Sequence, residues 1–188
     1  MIELEYEKVI ASYLSKPIQT KEKTVFTQKE IKKLWKIINE PFVDSVLFLL
    51  YTGYRTDQML SIKKENVDLE NGLLIRKNSV IPIHTKIFNL VQNRYYVNSV
   101  YLFSNSISNK LSPVNYLNFY WQNIMSNIKA NHIPNECRHT FRTELSKFTN
   151  DIKAINHLMG RVSRNDYADN HIQKSIDELK SIIELITY

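Results

Sequence analysis

The run Phe42 to Tyr51 constrains the fold of this chain more than any other stretch. It is apolar almost all round, and a helix without a polar face has to be surrounded by protein. The remaining elements must therefore be laid round it. Pro41 restarts the chain ahead of it, and Gly53 supplies a helix stop behind it. Only 3 Gly and 5 Pro in 188 residues favour a mainly helical body over a sandwich or barrel. A hydrophobic content of 43% is enough for a globular core. No apolar run approaches the ~18–20 residues that span a bilayer, and no cleavable signal opens the chain, so no membrane partner is expected.

The other elements can be placed from periodicity and caps. Residues 1–23 read as a lead-in, with a short helical piece from Tyr6 to Leu14 and then a polar stretch. Thr27-Gln28-Lys29-Glu30 has the capping-box pattern, and Ile31, Leu34, Trp35 and Ile38 follow at helical spacing. A short helix from Asp57 to Ile62 begins just after Arg55. Between Asn66 and Ile83 the period changes to that of strands: Val67–Leu69, a turn at Asn71-Gly72, Leu73–Ile75, a tight turn around Lys77-Asn78, and Val80–Ile83. Pro82 confines the last of these to an edge or a strand end. Helices are expected over His84–Arg94 and from Ser112-Pro113 to Lys129, the latter with Tyr116, Phe119, Tyr120 and Trp121 in the core. Further helices are expected over Asn135–Phe148 and from Asn150 or Asp151 to Leu158, then a loop over 161–171. Ser175–Glu178 is a second capping box, opening a helix with the face Ile176, Leu179, Ile182, Ile183 and Ile186. An apolar helix at a chain end must dock, on its own body or on a neighbour. The fold class is α+β, mainly α: a helical body with a small three-stranded antiparallel sheet.

Chemistry concentrates in Pro134 to Thr143, a proline-delimited helix start with Arg138, His139 and Arg142 beside apolar Phe141. Buried arginine is rare unless paired, so the cluster needs an anion, either an internal carboxylate or a bound phosphate. Arg55, at a junction between two helices, is by itself an ordinary surface arginine. Lys and Arg number 25 against 19 acids, a net charge of +6, which suits a polyanionic partner. The single cysteine, Cys137, excludes an internal disulfide and a cysteine-built zinc site, and fits a reducing cytoplasm.

In order, Phe26–Ile31, Leu50-Tyr51-Thr52-Gly53-Tyr54-Arg55, Asn66–Leu69, Ile81-Pro82-Ile83-His84, Cys137-Arg138-His139-Thr140-Phe141 and Leu158-Met159-Gly160 resemble the catalytic domain of tyrosine recombinases. The likeness is to the phage-integrase type of Gram-positive mobile elements and runs from about residue 24 to 186. It implies a metal-free, cofactor-free transesterification of double-stranded DNA at an attachment site, in a bacterial cytoplasm. Two arginines grip the scissile phosphate, a hairpin lysine protonates the leaving 5′ oxygen, and a tyrosine attacks to give a 3′-phosphotyrosyl enzyme. Fixed guanidiniums stabilise the charge that develops on the phosphorane. The resemblance also implies a DNA-clamping region ahead of residue 24, with 24–188 as the catalytic domain. Self-association on DNA through the C-terminal helix is a further implication.

Carried onto this chain, the first arginine is Arg55 and the second Arg138, converging on one phosphate. Other positions depart from the pattern. Asn135 stands where histidine is usual, Arg161 where histidine or tryptophan is usual, and Gln58 where an acid is usual. The hairpin is short, leaving Lys77 as its candidate general acid. The nucleophile position falls on His171, while the nearby tyrosine is Tyr167, about one helical turn (~3.6 residues) early. Two functions follow: a DNA recombinase working through Arg55, Lys77, Asn135, Arg138, Arg161 and Tyr167, or a catalytically silent DNA-binding relative that keeps the fold and the arginines.

Overall fold

The computed structural model describes residues 24–76, 79–98, 100–105, 110–160 and 175–188. The expected helix Tyr6–Leu14, the turn at Lys77-Asn78 and the loop 161–171 lie outside the described residues. Helix α1 (Gln28–Lys36) starts on the capping box that its sequence promises. The Glu30 carboxylate accepts from the Thr27 N–H at 2.8 Å, and Thr27 Oγ1 accepts from the Glu30 N–H at 3.3 Å. Helix α2 (Val43–Thr52) is the central element: every residue in it except Asp44 is buried. Gly53 ends it with φ +62°, and its N–H reaches back to Leu49. Helix α3 is shorter than expected, a single turn over Thr56–Met59.

The sheet has the expected hairpin order, β1 (Val67–Asp68), β2 (Leu73–Arg76) and β3 (Ser79–Pro82), antiparallel throughout. Pro82 sits on the edge strand, opposite Leu73, where its missing N–H is tolerated. Helix α4 (Thr85–Val97) is held to α2 by Arg94, whose Nη2 donates to Asp44 Oδ1 at 2.8 Å while its Nε pairs with Oδ2. The same guanidinium lies over the Phe42 ring, 4.5 Å from its centroid. Phe42 takes a left-handed conformation, φ 62°, at the entry to α2. A bulky residue does so only where its surroundings over-determine it. Here Arg94 and a stacked Tyr120, its ring centroid 4.0 Å away, both pack on the Phe42 ring.

The helix expected from Ser112 to Lys129 is interrupted. Between α5 (Pro113–Tyr116) and α6 (Gln122–Ile128), residues Leu117–Trp121 form a π turn, with the Gln122 N–H bonded to the Leu117 carbonyl. A π turn brings residues five apart onto one face, so Tyr116 and Trp121 are both buried, at 0% and 3% exposure. Phe119 is thereby turned outward, 62% exposed, against its expected place in the core.

Helix α7 (Pro134–Phe148) packs along α2 and is the other half of the core. Its first turn is clasped by His132, whose ring stacks on Phe26 at 3.9 Å and bridges the carboxylates of Glu136 (2.7 Å) and Glu30 (3.3 Å). Those carboxylates also cap α7 and α1, so one imidazole joins two helix starts. Thr140 Oγ1 accepts from the Phe26 N–H at 2.8 Å, tying the first described residues to α7. Helix α8 (Ile152–Leu158) is capped by Asp151 and ends before Gly160. Among the described residues no helix is long and apolar enough to cross a membrane.

Helix α9 (Ile176–Ile183) opens on the expected Ser175–Glu178 capping box and docks on this chain's own body. Leu179, Ile183 and Ile186 are buried, whereas Ile176, expected on that face, is 41% exposed. Beyond the helix, Glu184 caps α4 by accepting from the Thr85 N–H (2.8 Å) and hydroxyl (2.7 Å). The Tyr188 hydroxyl donates to the Leu50 carbonyl at 3.0 Å. His84 Nδ1 accepts from the Lys86 N–H, so the ring proton is on Nε2, which donates to Ile186 O at 3.0 Å. Burial holds the His84 pKa below its ordinary value, against the pull of Glu184 in the other direction. A histidine with a depressed folded pKa stabilises fully above its unfolded value and loses that contribution as pH falls. Hydrogen exchange across α9 and the last residues, corrected for intrinsic rates, is therefore expected to quicken as pH falls below about 6.5, and His84→Gln should flatten that dependence.

Candidate functional site

The site is built where the end of α2 meets the start of α7. Gly53 permits the left-handed turn, and it also permits contact. A Cβ built there would lie 2.4 Å from Phe141 Cδ1. The close approach brings Arg138, one turn into α7, to the Gly53 carbonyl, to which its Nη1 donates at 2.6 Å. Arg138 is only 4% exposed. Its charge is thus held inside the protein at the exit of α2, two residues from Arg55.

Arg55 is exposed and stands at the N-cap of α3, where its backbone N–H is bonded to Gln58 Oε1 at 3.1 Å. Gln58, expected as a neutral stand-in for an acid beside Arg55, is here a helix cap. The arginine-rich start of α7 divides in two: Arg138 is buried and Arg142 exposed. The two buried carboxylates of this helix are hydrogen-bonded elsewhere, Glu136 to His132 and Ile133, Glu144 to Lys147 at 2.6 Å. Asn135 is exposed, and its Nδ2 donates to His139 Nε2 at 3.1 Å, one turn along the same face. Cys137 is fully buried, and burial pushes its thiol pKa up, so it acts as a core residue. Lys77, Arg161, Tyr167 and His171 lie outside the described residues. No group of His, Cys, Asp or Glu among the described residues is placed to hold a metal ion.

Two residues escaped the sequence reading. His139 was part of the charged cluster but had no role, although its spacing of four from Asn135 puts the two side chains on one helical face. Arg76, at the end of β2, was not singled out at all. In a strand, alternate residues share a face: Leu74 is buried, Ile75 is 41% exposed, and Arg76, on the side of Leu74, is half-buried. Its guanidinium carbon lies 3.6 Å from the centroid of the Tyr54 ring. Tyr54 itself is 4% exposed, and burial raises its phenol pKa while the Arg76 charge opposes the rise. Arg76 also abuts Gly160, where a Cβ would collide with Nη1. His157 Nε2 meets Val80 O at 3.2 Å, fastening α8 to β3 beside it. Gly53, Tyr54 and Arg55, consecutive in the chain, thus touch or carry three guanidiniums.

The model of the phage integrase family matches residues 24–168, and the chain belongs to that family, the tyrosine recombinases. Tyrosine recombinase XerA of Pyrococcus horikoshii is 28% identical over 180 residues, covering 83% of this chain and 61% of the relative. Tyrosine recombinase XerA of Pyrococcus furiosus is 31% identical over 157 residues, covering 73% and 53%. The chain therefore spans little more than half the length of these relatives. Among solved structures, the Tn1549 transposon integrase in complex with circular intermediate DNA superposes with a TM-score of 0.67 at 18% identity, over 90% of this chain and 66% of that one. A XerA recombinase superposes with a TM-score of 0.64 at 18% identity, over 82% and 62%. The fold is that of a tyrosine-recombinase catalytic domain.

The contact of Gly53 with Phe141 gives a direct test of how the site is held. Gly53→Ala should destabilise the protein by about 1–3 kcal/mol through overpacking at a left-handed position. Urea unfolding measures this. Gly72→Ala, which meets Phe88 only at 3.8 Å, should cost less.

Proposed function

We infer that this domain binds double-stranded DNA and cleaves and rejoins its strands through a 3′-phosphotyrosyl intermediate. The observation that carries the reading is Arg138, a guanidinium buried in the core yet delivered to the end of α2, where it bonds the carbonyl two residues before Arg55, in a chain of the integrase family. A permanently charged planar fork in a site of low dielectric constant is suited to a phosphodiester that gains charge in its transition state. Arg55, exposed at the start of α3, supplies a second cation from the solvent side.

In the proposed reaction, the Tyr167 oxygen attacks the scissile phosphorus and the bond from phosphorus to the 5′ oxygen breaks. Lys77 gives its proton to the leaving 5′ oxygen, and the Tyr167 proton passes to solvent. Energy of the phosphodiester stays in the new phosphotyrosine, so a 5′ hydroxyl from another strand can reverse the step without a cofactor. Asn135 holds a phosphate oxygen by hydrogen bonding, and Arg161 adds positive charge. Residues 24–188 form the catalytic domain and 1–23 lead from a DNA-clamping region. The anchors Glu184, Ile186 and Tyr188 are the contacts that an exchanged C-terminal helix would make between copies on DNA in a bacterial cytoplasm.

A second reading has its own support. Asn135 cannot carry a proton at neutral pH, Gln58 is committed to a cap, and the spacing puts His171 where the nucleophile belongs. On that reading the protein is a catalytically silent DNA-binding relative.

A nicked suicide duplex carrying the attachment site separates the two. Wild-type protein should yield a covalent protein–DNA band, lost in Tyr167→Phe and kept in His171→Ala. Arg138→Ala should lower its yield by at least ~10²-fold, the scale for one lost transition-state donor. Salt-sensitive DNA retention with no band under any condition would establish the silent reading.

A further inference from the structure

We propose that the outer face of helix α1 is a phosphate-backbone contact surface, on which Lys29, Lys32 and Lys36 grip the DNA flanking the phosphate held by Arg138. The proposal rests on the DNA-binding reading above and adds a surface to it. At 3.6 residues per turn these three lysines lie within an arc of about 60°, opposite the buried Ile31 and Leu34. All three are exposed, and their ammonium groups make no ion pair or hydrogen bond with another described residue. Lys33, the fourth lysine of the helix, is used otherwise: its Nζ donates to the Ile128 carbonyl at 2.7 Å, pinning α1 to the end of α6. The one acid of the helix, Glu30, is also committed, to the Thr27 cap and to His132. Nothing on α1 neutralises the row.

Local helix energetics disfavour that row. Lys32 and Lys36, four apart, and Lys29 and Lys32, three apart, are like charges on neighbouring turns, which weakens a helix. Lys29 stands in the first turn, where the helix dipole disfavours a cation, and only Lys36, in the last turn, gains from it. A polyanion reverses the sign of these costs. From Lys29 to Lys36 the helix rises ~10.5 Å, the length over which one strand of a duplex carries about three phosphates, at ~3.4 Å each. Each ammonium group can therefore meet a phosphate of one strand. Lysine offers a point charge with three rotatable donors, which suits a backbone contact that carries no sequence information. The row is also tied to the site. Lys29 adjoins Glu30, whose carboxylate meets His132 at 3.3 Å, and that ring meets Glu136 at 2.7 Å, two residues ahead of Arg138 on α7. The joint fixes α1 relative to Arg138, so a duplex seated on both is held in one register.

The test uses the whole chain and a fluorescent duplex, with binding followed by anisotropy over a series of KCl concentrations. Each phosphate contact contributes ~0.9 to the slope of log K against log salt. The triple variant Lys29→Gln, Lys32→Gln, Lys36→Gln is expected to lower the slope by ~2.7 and to weaken binding at low salt by at least ~10-fold. A control variant, Lys86→Gln with Lys180→Gln, removes exposed lysines of α4 and α9 and should leave both quantities unchanged. A second readout needs no variant: acylation of the wild-type lysines, followed by mass spectrometry, should slow several-fold at Lys29, Lys32 and Lys36 when duplex is added, and not at Lys86 or Lys180. A slope in the triple variant that falls no further than in the control would overturn the proposal, as would acylation of α1 that duplex leaves unchanged. Absence of salt-dependent binding by the wild-type protein would instead overturn the DNA-binding reading, and this proposal with it.

Discussion

The hydrogen bond from Arg138 to the Gly53 carbonyl depends on how closely α7 approaches the end of α2, and much of the structure serves that approach. Gly53 has no side chain because Phe141 occupies the space. The α7 start is held by His132 and its two carboxylates, and by Thr140 bonded to Phe26. An arginine drawn into a core needs its donors satisfied, and the backbone carbonyl left over at a helix end is a strong acceptor that costs no second charge.

The sheet and the last helix extend the same logic. The hairpin is short, but it places Arg76 on its inner face against Tyr54, so the segment from Gly53 to Arg55 becomes the meeting point of α2, α7 and β2. The C-terminal residues reinforce the other side of α2. Tyr188 reaches Leu50, and Ile186 and Glu184 reach His84 and Thr85. The helix that bears Gly53 is thus fixed along its length by elements distant in sequence.

Much of this was legible in the chain. Capping boxes at Thr27 and Ser175, the Asn71-Gly72 turn and the apolar run in α2 are local signals, and local signals survive without knowledge of the fold. The misplaced residues have non-local causes. Phe119 faces solvent because a π turn changes the helical period after Tyr116, and Ile176 is exposed because the helix docks through residues further on. Arg55 and Arg138 could be selected by resemblance, yet the bond from Arg138 to the Gly53 carbonyl, two residues before Arg55 in the chain, could not be read from spacing. Arg76 carried a signal in its alternation with Leu74, too weak to use until Tyr54 was seen beneath it.

By itself, then, the sequence determined the kinds of element, their order, and the family, because periodicity, caps and motif order are properties of neighbouring residues. Only the tertiary structure decided what each buried charge rests against. Arg76, Arg138 and Gly53 are brought together by packing across α2, α7 and the sheet, and the energetic meaning of a buried guanidinium lies in what surrounds it rather than in what adjoins it in the chain.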